Sequence, residues 1–409
     1  MAKKRGKKSN NTALFVIIAI IAILVIVAII VIFVVNPGGI KDKIMNVING
    51  QQSNSNSNSG GGSQNQSNLV KGEGELQFHM LDIGQGDWLL VLLPDGKEML
   101  IDAGSKPDSN ATYNTSKTYM DQYITDGQLD YVVLTHSDQD HVAYMDKIFA
   151  DYQVDNLYMP ALYSTPSNAT LASQVEALPA AKTKILDDSG VNKSKCYIET
   201  ATYARFYIAA FSEPNCNIFL NLEINADNDD TTLDAHSRIV DSNNTYSITF
   251  FFENLAFYNN KKFAGDGHQI NGISPTMILE YNGKRIVFTG DANEENEPYM
   301  VARMQAYYGG VINCDVLKVA HHGSHEGSST AYLTEVDPEY AMISCGTGNS
   351  YGHPRQVTLN RLKEYDNNMD LYRTDLHGTI VCVIDKDGNI TITPTNTNVS
   401  DTDLWTGPQ

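Results

Sequence analysis

The chain has 409 residues, with 29 Lys and Arg against 48 Asp and Glu and a net charge of −19. Five basic residues (Lys3, Lys4, Arg5, Lys7 and Lys8) precede the first apolar run and no acidic one does, so the rest carries 24 basic against 48 acidic side chains, −24. Such a surface repels polyanions and excludes broad nucleic-acid adhesion, so an anionic substrate has to be held by metal and a local patch.

Residues 1–12 read as a basic cytoplasmic tail. Ala13 to Val35 contains no polar side chain, and as a helix it would span about 35 Å, enough for a hydrocarbon core of about 30 Å. The basic flank predicts one transmembrane signal anchor, with the N-terminus cytoplasmic and the remainder outside the cell membrane. A cleaved signal peptide competes less well. The run is longer than a typical h-region, and Asn36-Pro37-Gly38-Gly39 follows instead of a small-x-small cleavage site. Residues 36–72 read as a polar linker, because Gln51 to Asn68 is almost wholly Ser, Asn, Gln and Gly and cannot bury a core. One large α/β domain is expected over 73–409. Among the five cysteines, Cys314, Cys345 and Cys382 lie in apolar strand-like runs and read as buried thiols. For Cys196 and Cys216, free thiols are favoured over an extracellular disulfide.

The domain opens with strands. Leu76 to Ile83 alternates, Gly84-Gln85-Gly86-Asp87 turns, Trp88 to Leu93 follows, and Met99 to Asp102 returns after Pro94-Asp95-Gly96. Tyr131 to Leu134 is a short apolar strand, as expected for one buried on both faces. Ala143 to Tyr152 and Thr170 to Lys182 read as helices, Asn221 to Asn244 as a loop, and Tyr246 to Phe252 as a strand. No chemical motif appears over residues 158–265, which reads as an insertion or lid. Met277 to Tyr281 and Arg285 to Phe288 pair through Asn282-Gly283, and Val316 to Val319, Ala341 to Ser344 and Ile380 to Ile384 supply further strands. Val357 to Tyr365 is a helix.

The densest chemistry is Thr135-His136-Ser137-Asp138-Gln139-Asp140-His141, directly after Tyr131 to Leu134. Two imidazoles and two carboxylates at a strand's carboxyl end suit zinc, manganese or iron, and an Asp-rich set leans toward manganese. A solvated polar loop is the bland alternative, which four ligand-type residues at this spacing outweigh.

Seven motifs occur in order: Leu81 to Asp87, Ile101-Asp102-Ala103-Gly104, His136 to His141, Thr289-Gly290-Asp291-Ala292, Lys318 to Ser324, Tyr351-Gly352-His353-Pro354 and Tyr372-Arg373-Thr374-Asp375. Together they resemble the metallo-β-lactamase-fold domain of the ComEC type, the DNA-uptake channel proteins, in a free-standing and membrane-anchored form. The resemblance covers roughly residues 75 to 385 and lacks the multi-spanning channel part. It implies an αβ/βα four-layer sandwich with ligands at one edge of the packed sheets, holding one or two divalent ions, zinc or manganese. His136 and Asp138 would serve one position. Asp140, His141 and one of His321 and His322 would serve the other, with Asp291 bridging and Asp102 orienting a ligand imidazole. Asp138 stands where the wider superfamily usually has His. The superfamily's third histidine has no firm counterpart, His268 reading as an ordinary loop residue.

Asp140 and His353 are the catalytic candidates, His353 donating to an anionic oxygen or protonating a leaving group. Ser324 is a substrate-binding candidate or a cap, Asp82 and Asp87 read as supports of the glycine turn, and Asp375 belongs either to a turn or to the site's edge. Lys318, Arg355, Arg361, Lys363 and Arg373 are candidates for a local basic patch. Metal-assisted hydrolysis is the expected reaction class, since no Ser–His–acid or Cys–His set competes. The leading expectation is a surface phosphodiesterase or nuclease acting on DNA. A cell-wall or small-molecule esterase of the same fold, and a non-catalytic metal-stabilised binding module, are the alternatives.

Overall fold

The structure is a computed structural model that describes residues 74–223 and 237–408. The expected membrane anchor, the linker and most of the Asn221 to Asn244 loop lie outside the described residues. Among the described residues no helix is long and apolar enough to cross a membrane.

Two sheets form the frame. The chain begins with β1 (Leu76–Met80), β2 (Leu89–Leu92), β3 (Glu98–Ile101), β4 (Gln128–Val133) and β5 (Gln153–Met159). Short strands β6 (Tyr163–Ser164) and β7 (Tyr197–Ile198) pair apart from these, and β8 (Asn217–Leu220) returns to the edge beside β5. The second sheet takes β9 (Arg238–Val240), β10 (Tyr246–Phe251), β11 (Thr276–Tyr281), β12 (Lys284–Phe288), β13 (Val316–Lys318), β14 (Tyr340–Ile343) and β15 (Asp370–Arg373). Finally β16 (Ile380–Ile384) and β17 (Ile390–Pro394) close the first sheet, giving the order β17-β16-β1-β2-β3-β4-β5-β8 against β15-β14-β13-β12-β11-β10-β9.

The sheets stack through one apolar layer, with Phe78 edge-on to Phe288 at 4.9 Å and Tyr158 parallel to Phe250 at 4.6 Å. Each such side chain contributes about 1.5–3 kcal/mol by transfer from water. Helices cover both outer faces, one over a core around Trp88, Met145 and Phe206, the other around Met300, Leu333 and Leu359. This is the α/β sandwich expected from the motifs. Alternation along β1 does not mean exposure, because Gln77 and His79 are buried as well. The helix Asn110–Met120 covers their face, and His79 bonds Tyr119 Oη at 2.7 Å and Gln77 Oε1 at 3.1 Å.

Three local expectations need correction. The helix expected over Thr170 to Lys182 is two, Ala169–Glu176 and Ala180–Asp188, because Pro179 cannot continue the first and caps the second. The helix expected over Ala143 to Tyr152 is Met145–Asp151, preceded by the single turn Gln139–Val142 that carries His141. The stretch 158–265 is not simply an appended lid: β8 lies in the first sheet, and β9 and β10 form the edge of the second. All five cysteines are free and buried.

Parallel pairing sets the site. Strands β3, β4, β5 and β8 run parallel, as do β12 to β15, so their carboxyl ends point to one edge in each sheet. Asp102 follows β3, His136 follows β4, Asp291 follows β12, and His321 and His322 follow β13.

Candidate metal centre

Backbone packing first places Asp140 and His141. A Cβ on Gly104 would lie 2.2 Å from the Asp140 carbonyl carbon, and one on Gly86 would lie 2.4 Å from the Asp140 oxygen. Only glycine at both positions lets the β1–β2 turn and the segment after β3 press against this turn. Asp87 N–H then donates to Asp140 O at 3.0 Å, and Ala103 N–H donates to His141 O at 2.9 Å. On the opposite side, His321 and His322 are consecutive left-handed residues, with φ of 50° and 53°. Each such non-glycine residue costs about 1–3 kcal/mol, strain that persists where surrounding contacts over-determine the backbone.

Hydrogen bonds behind the imidazoles fix their tautomers. Asp102, itself left-handed at φ 57°, accepts from Thr135 N–H at 2.8 Å, from the Thr135 hydroxyl at 2.7 Å and from His141 Nδ1–H at 2.8 Å. His322 Nδ1–H donates to the Ser344 carbonyl at 2.8 Å. Since the Thr135 hydroxyl proton goes to Asp102, its oxygen accepts from His136 Nδ1–H at 3.0 Å. Each of the three rings, when neutral, is therefore left with a bare Nε2.

Those bare nitrogens converge. His141 Nε2 faces His322 Nε2 at 3.1 Å, and Asp291 Oδ2 lies 3.2 Å from the first and 3.5 Å from the second. His136 Nε2 is 3.8 Å from the same oxygen and, like Asp291 Oδ1, has no hydrogen-bond partner despite burial. Asp140 Oδ2 stands 3.7 Å from His322 Nε2. Among the described residues three groups have donor atoms within 4.8 Å of one another: the ligand groups His136–His141–Asp291 and Asp140–His141–His322 on the Nε2 side, and Asp87–Asp102–His141 behind them at His141 Nδ1. Lone pairs from imidazole and carboxylate aimed at one another need a proton or a metal cation between them, and this donor set fits a divalent ion.

Without a metal ion the surrounding acids draw a proton onto His141 Nε2, the place a bound divalent cation would take. Burial opposes charge on His141, yet Asp291 and Asp102 outweigh it and lift its pKa well above the ordinary value. Burial likewise opposes charge on Asp291, but His141, His322 and His321 hold its carboxyl well below the usual range. Burial and then His141 push His136 well down.

The remaining candidates separate. Asp138 is half-buried and directly precedes the Gln139–Val142 turn, outside both ligand groups; burial, then Asp140, push its carboxyl up to about 7. His322 belongs to a ligand group, whereas His321 Nε2 stays 3.7 Å from Asp291 and its Nδ1 is 3.8 Å from Glu326. His353 is buried beside both, with ring centroids 5.2 Å from His321 and 6.4 Å from His322, and its Nδ1 has no partner. Burial, then His322 and His321, push His353 down to about 3, so it is a neutral hydrogen-bonding group. Ser324 is buried in a turn, its Oγ accepting from Glu326 N–H, and makes no open anion site. His268 pairs with Glu295 at 3.4 Å and belongs to neither ligand group.

Two residues were underrated from sequence. Asp87 and Lys318 are fully buried and paired at 2.6 Å directly behind the centre. Lys318 Nζ also donates to Gly290 O at 3.0 Å and lies 3.9 Å from Asp291 Oδ1, while Ser344 Oγ donates to Asp87. Both were visible inside the quoted motifs, where a lysine ending an apolar strand and an aspartate ending a glycine turn gave the signal. The expected basic patch loses Lys318 by this burial, and it loses Arg373, which is buried against Asp375 at 2.7 Å. Asp375 is thereby a structural partner.

The metallo-beta-lactamase superfamily model matches residues 81–193 and 272–347. ComE operon protein 3 of Bacillus subtilis (strain 168) is 26% identical over 324 residues, 76% of this chain and 33% of that protein. Competence protein ComA of Neisseria gonorrhoeae is 36% identical over 110 residues, 27% of this chain and 15% of that one. The chain carries a metallo-β-lactamase domain related to the competence proteins. It spans a third or less of the length of these two relatives. Among solved structures, the metallo-beta-lactamase fold protein YhfI from Bacillus subtilis covers 78% of the chain at 12% identity and a TM-score of 0.37. Both ligand groups of the metallo-β-lactamase domain draw on the two matched segments, His136, Asp140 and His141 from the first and Asp291 and His322 from the second.

Proposed function

We propose that this chain is a metal-dependent phosphodiesterase, anchored in the cell membrane by Ala13 to Val35, that cleaves nucleic acid outside the cell. The convergence of three Nε2 atoms on Asp291 carries the reading, because neutral imidazoles and a carboxylate so placed would hold a divalent ion. A bound divalent ion supplies an acidified water and positive charge for a developing phosphoryl oxyanion. The chain's own residues do the rest. Asp102, Thr135 and the Ser344 carbonyl keep the imidazoles in the binding tautomer. Lys318 holds Asp87 and flanks Asp291. His353, neutral and buried with an unpartnered Nδ1 beside His321 and His322, is suited to donating a hydrogen bond to a phosphate or leaving-group oxygen. Kinship with competence proteins favours DNA as substrate.

One observation favours a second reading. With Lys318 and Arg373 buried, the surface keeps Arg355, Arg361 and Lys363 of the five cations considered, and Arg361 is already bonded to the Gly327, Ser328 and His325 carbonyls. So thin a patch suits a small diester. Full-length chain supplied separately with manganese and zinc is to be offered plasmid DNA, bis-p-nitrophenyl phosphate, p-nitrophenyl phosphorylcholine and nitrocefin. DNA cleavage lost in Asp140→Ala supports the nuclease, turnover of small esters alone supports the second reading, and no turnover with any metal rejects both in favour of a binding module.

A further inference from the structure

Two loops outside the ligand groups form the rim beside the centre, Gly104 to Pro107 after β3 and Gly346 to Pro354 after β14. Gln85, in the β1–β2 turn, ties them together. Its carbonyl accepts from Lys106 N–H at 2.8 Å, and its Oε1 accepts from Gly346 N–H at 3.4 Å. A Cβ on Gly346 would lie 2.5 Å from Gln85 N, so the second loop sits directly on the turn. Asn349 fixes that loop from within, its Nδ2 donating to the Gly346 and His353 carbonyls at 2.8 and 2.6 Å and its Oδ1 accepting from His353 N–H at 3.0 Å.

A ladder of side chains then runs from solvent to the centre. Lys106 Nζ is 5.1 Å from the centroid of the Tyr351 ring. Tyr351 stacks on His353 at 5.7 Å and 26°, and His353 on His322 at 6.4 Å and 26°. Lys106 is exposed and Tyr351 half-buried, so both remain reachable. His353 stacks on the Tyr351 ring and Lys106 lies over it, so a base stacks there as the ammonium swings off onto a phosphate, and cation and ring then match the two halves of a nucleotide.

We propose that Lys106 and Tyr351 form a subsite for an unpaired nucleotide next to the scissile phosphodiester, Lys106 pairing with a phosphate oxygen and Tyr351 stacking on the base. This rests on the phosphodiesterase reading and narrows its substrate to single-stranded nucleic acid. In a duplex each base face is already stacked, and an outer chain of −24 provides no long basic track for two backbones.

Anisotropy of full-length chain with fluorescein-labelled oligo(dT), and with an abasic strand of equal length, separates base from phosphate. Oligo(dT) binds on the order of tenfold tighter than the abasic strand. Tyr351→Leu removes that ratio and Tyr351→Phe keeps it. Lys106→Gln weakens both strands and lowers the log–log salt slope by about 0.7, whereas Lys106→Arg keeps it. Equal binding of the two strands by the parent, or a ratio that survives Tyr351→Leu, overturns the subsite. Hydrolysis of bis-p-nitrophenyl phosphate in manganese, measured on the same preparation, distinguishes the two failures. Turnover without base-dependent binding rejects the subsite alone, and base-dependent binding without turnover supports the subsite while rejecting the phosphodiesterase.

Discussion

Lys318→Met is the sharpest probe of how the centre is supported. The ammonium is fully buried, 2.6 Å from Asp87 and 3.9 Å from Asp291. Its loss leaves Asp87 as an uncompensated buried carboxylate, which costs about 3–5 kcal/mol. For a domain of this size that corresponds to a fall in Tm of about 10 °C. Asp87→Asn combined with Lys318→Met removes both charges, and it should recover at least about 2 kcal/mol of the single-variant loss. Urea unfolding followed by fluorescence of the buried Trp88 reads both quantities, and metal titration of the same samples reads the effect on the ligands. A Lys318→Met chain that unfolds with its parent, or a double variant no more stable than the single one, refutes the reasoning.

Further expectations follow from neighbouring contacts. Asp102→Asn leaves His141 Nδ1–H without its anionic acceptor and should lower metal affinity about 10–100-fold, read by competition with a chromogenic chelator. Gly104→Ala drives a methyl into the Asp140–His141 peptide, a backbone overlap that no rotamer relieves, so destabilisation at or above about 3 kcal/mol is expected in thermal unfolding. Glu253 is buried, and that burial lifts its carboxyl to about 8. The folded state thus keeps a proton that the unfolded state releases above its ordinary value, so this contribution to stability is present at low pH and lost as pH rises through 8. Between pH 5 and 9 the parent should lose up to about 4 kcal/mol that Glu253→Gln does not. Parallel unfolding curves for the two chains across that range would contradict it.

Much of the centre was legible because its chemistry is local in sequence. Residues His136 to His141 sit within six positions, and strand ends at Asp102, Asp291 and His322 follow from short apolar runs halted by a polar residue. What escaped depends on tertiary contact. No local pattern shows that the Asn110–Met120 helix covers β1, or that Lys318 points inward to Asp87 from across the sandwich. Arg373 likewise looked available until Asp375 and the carbonyls of Asp403, Leu404 and Thr406 were seen to enclose it. His321 and His322 could not be told apart while adjacent in sequence, since the left-handed backbone that turns them in different directions has no compositional mark. The strands β8 and β9 were blurred for another reason: they are short and separated by Asn- and Asp-rich sequence, which reads as loop until a partner strand is present.

Elemental analysis of natively purified full-length chain tests the central claim most directly. At least one equivalent of zinc, manganese or iron per chain is expected, lost in His141→Ala together with part of the thermal stability. Material free of transition metal, with His141→Ala behaving as its parent, would contradict the account.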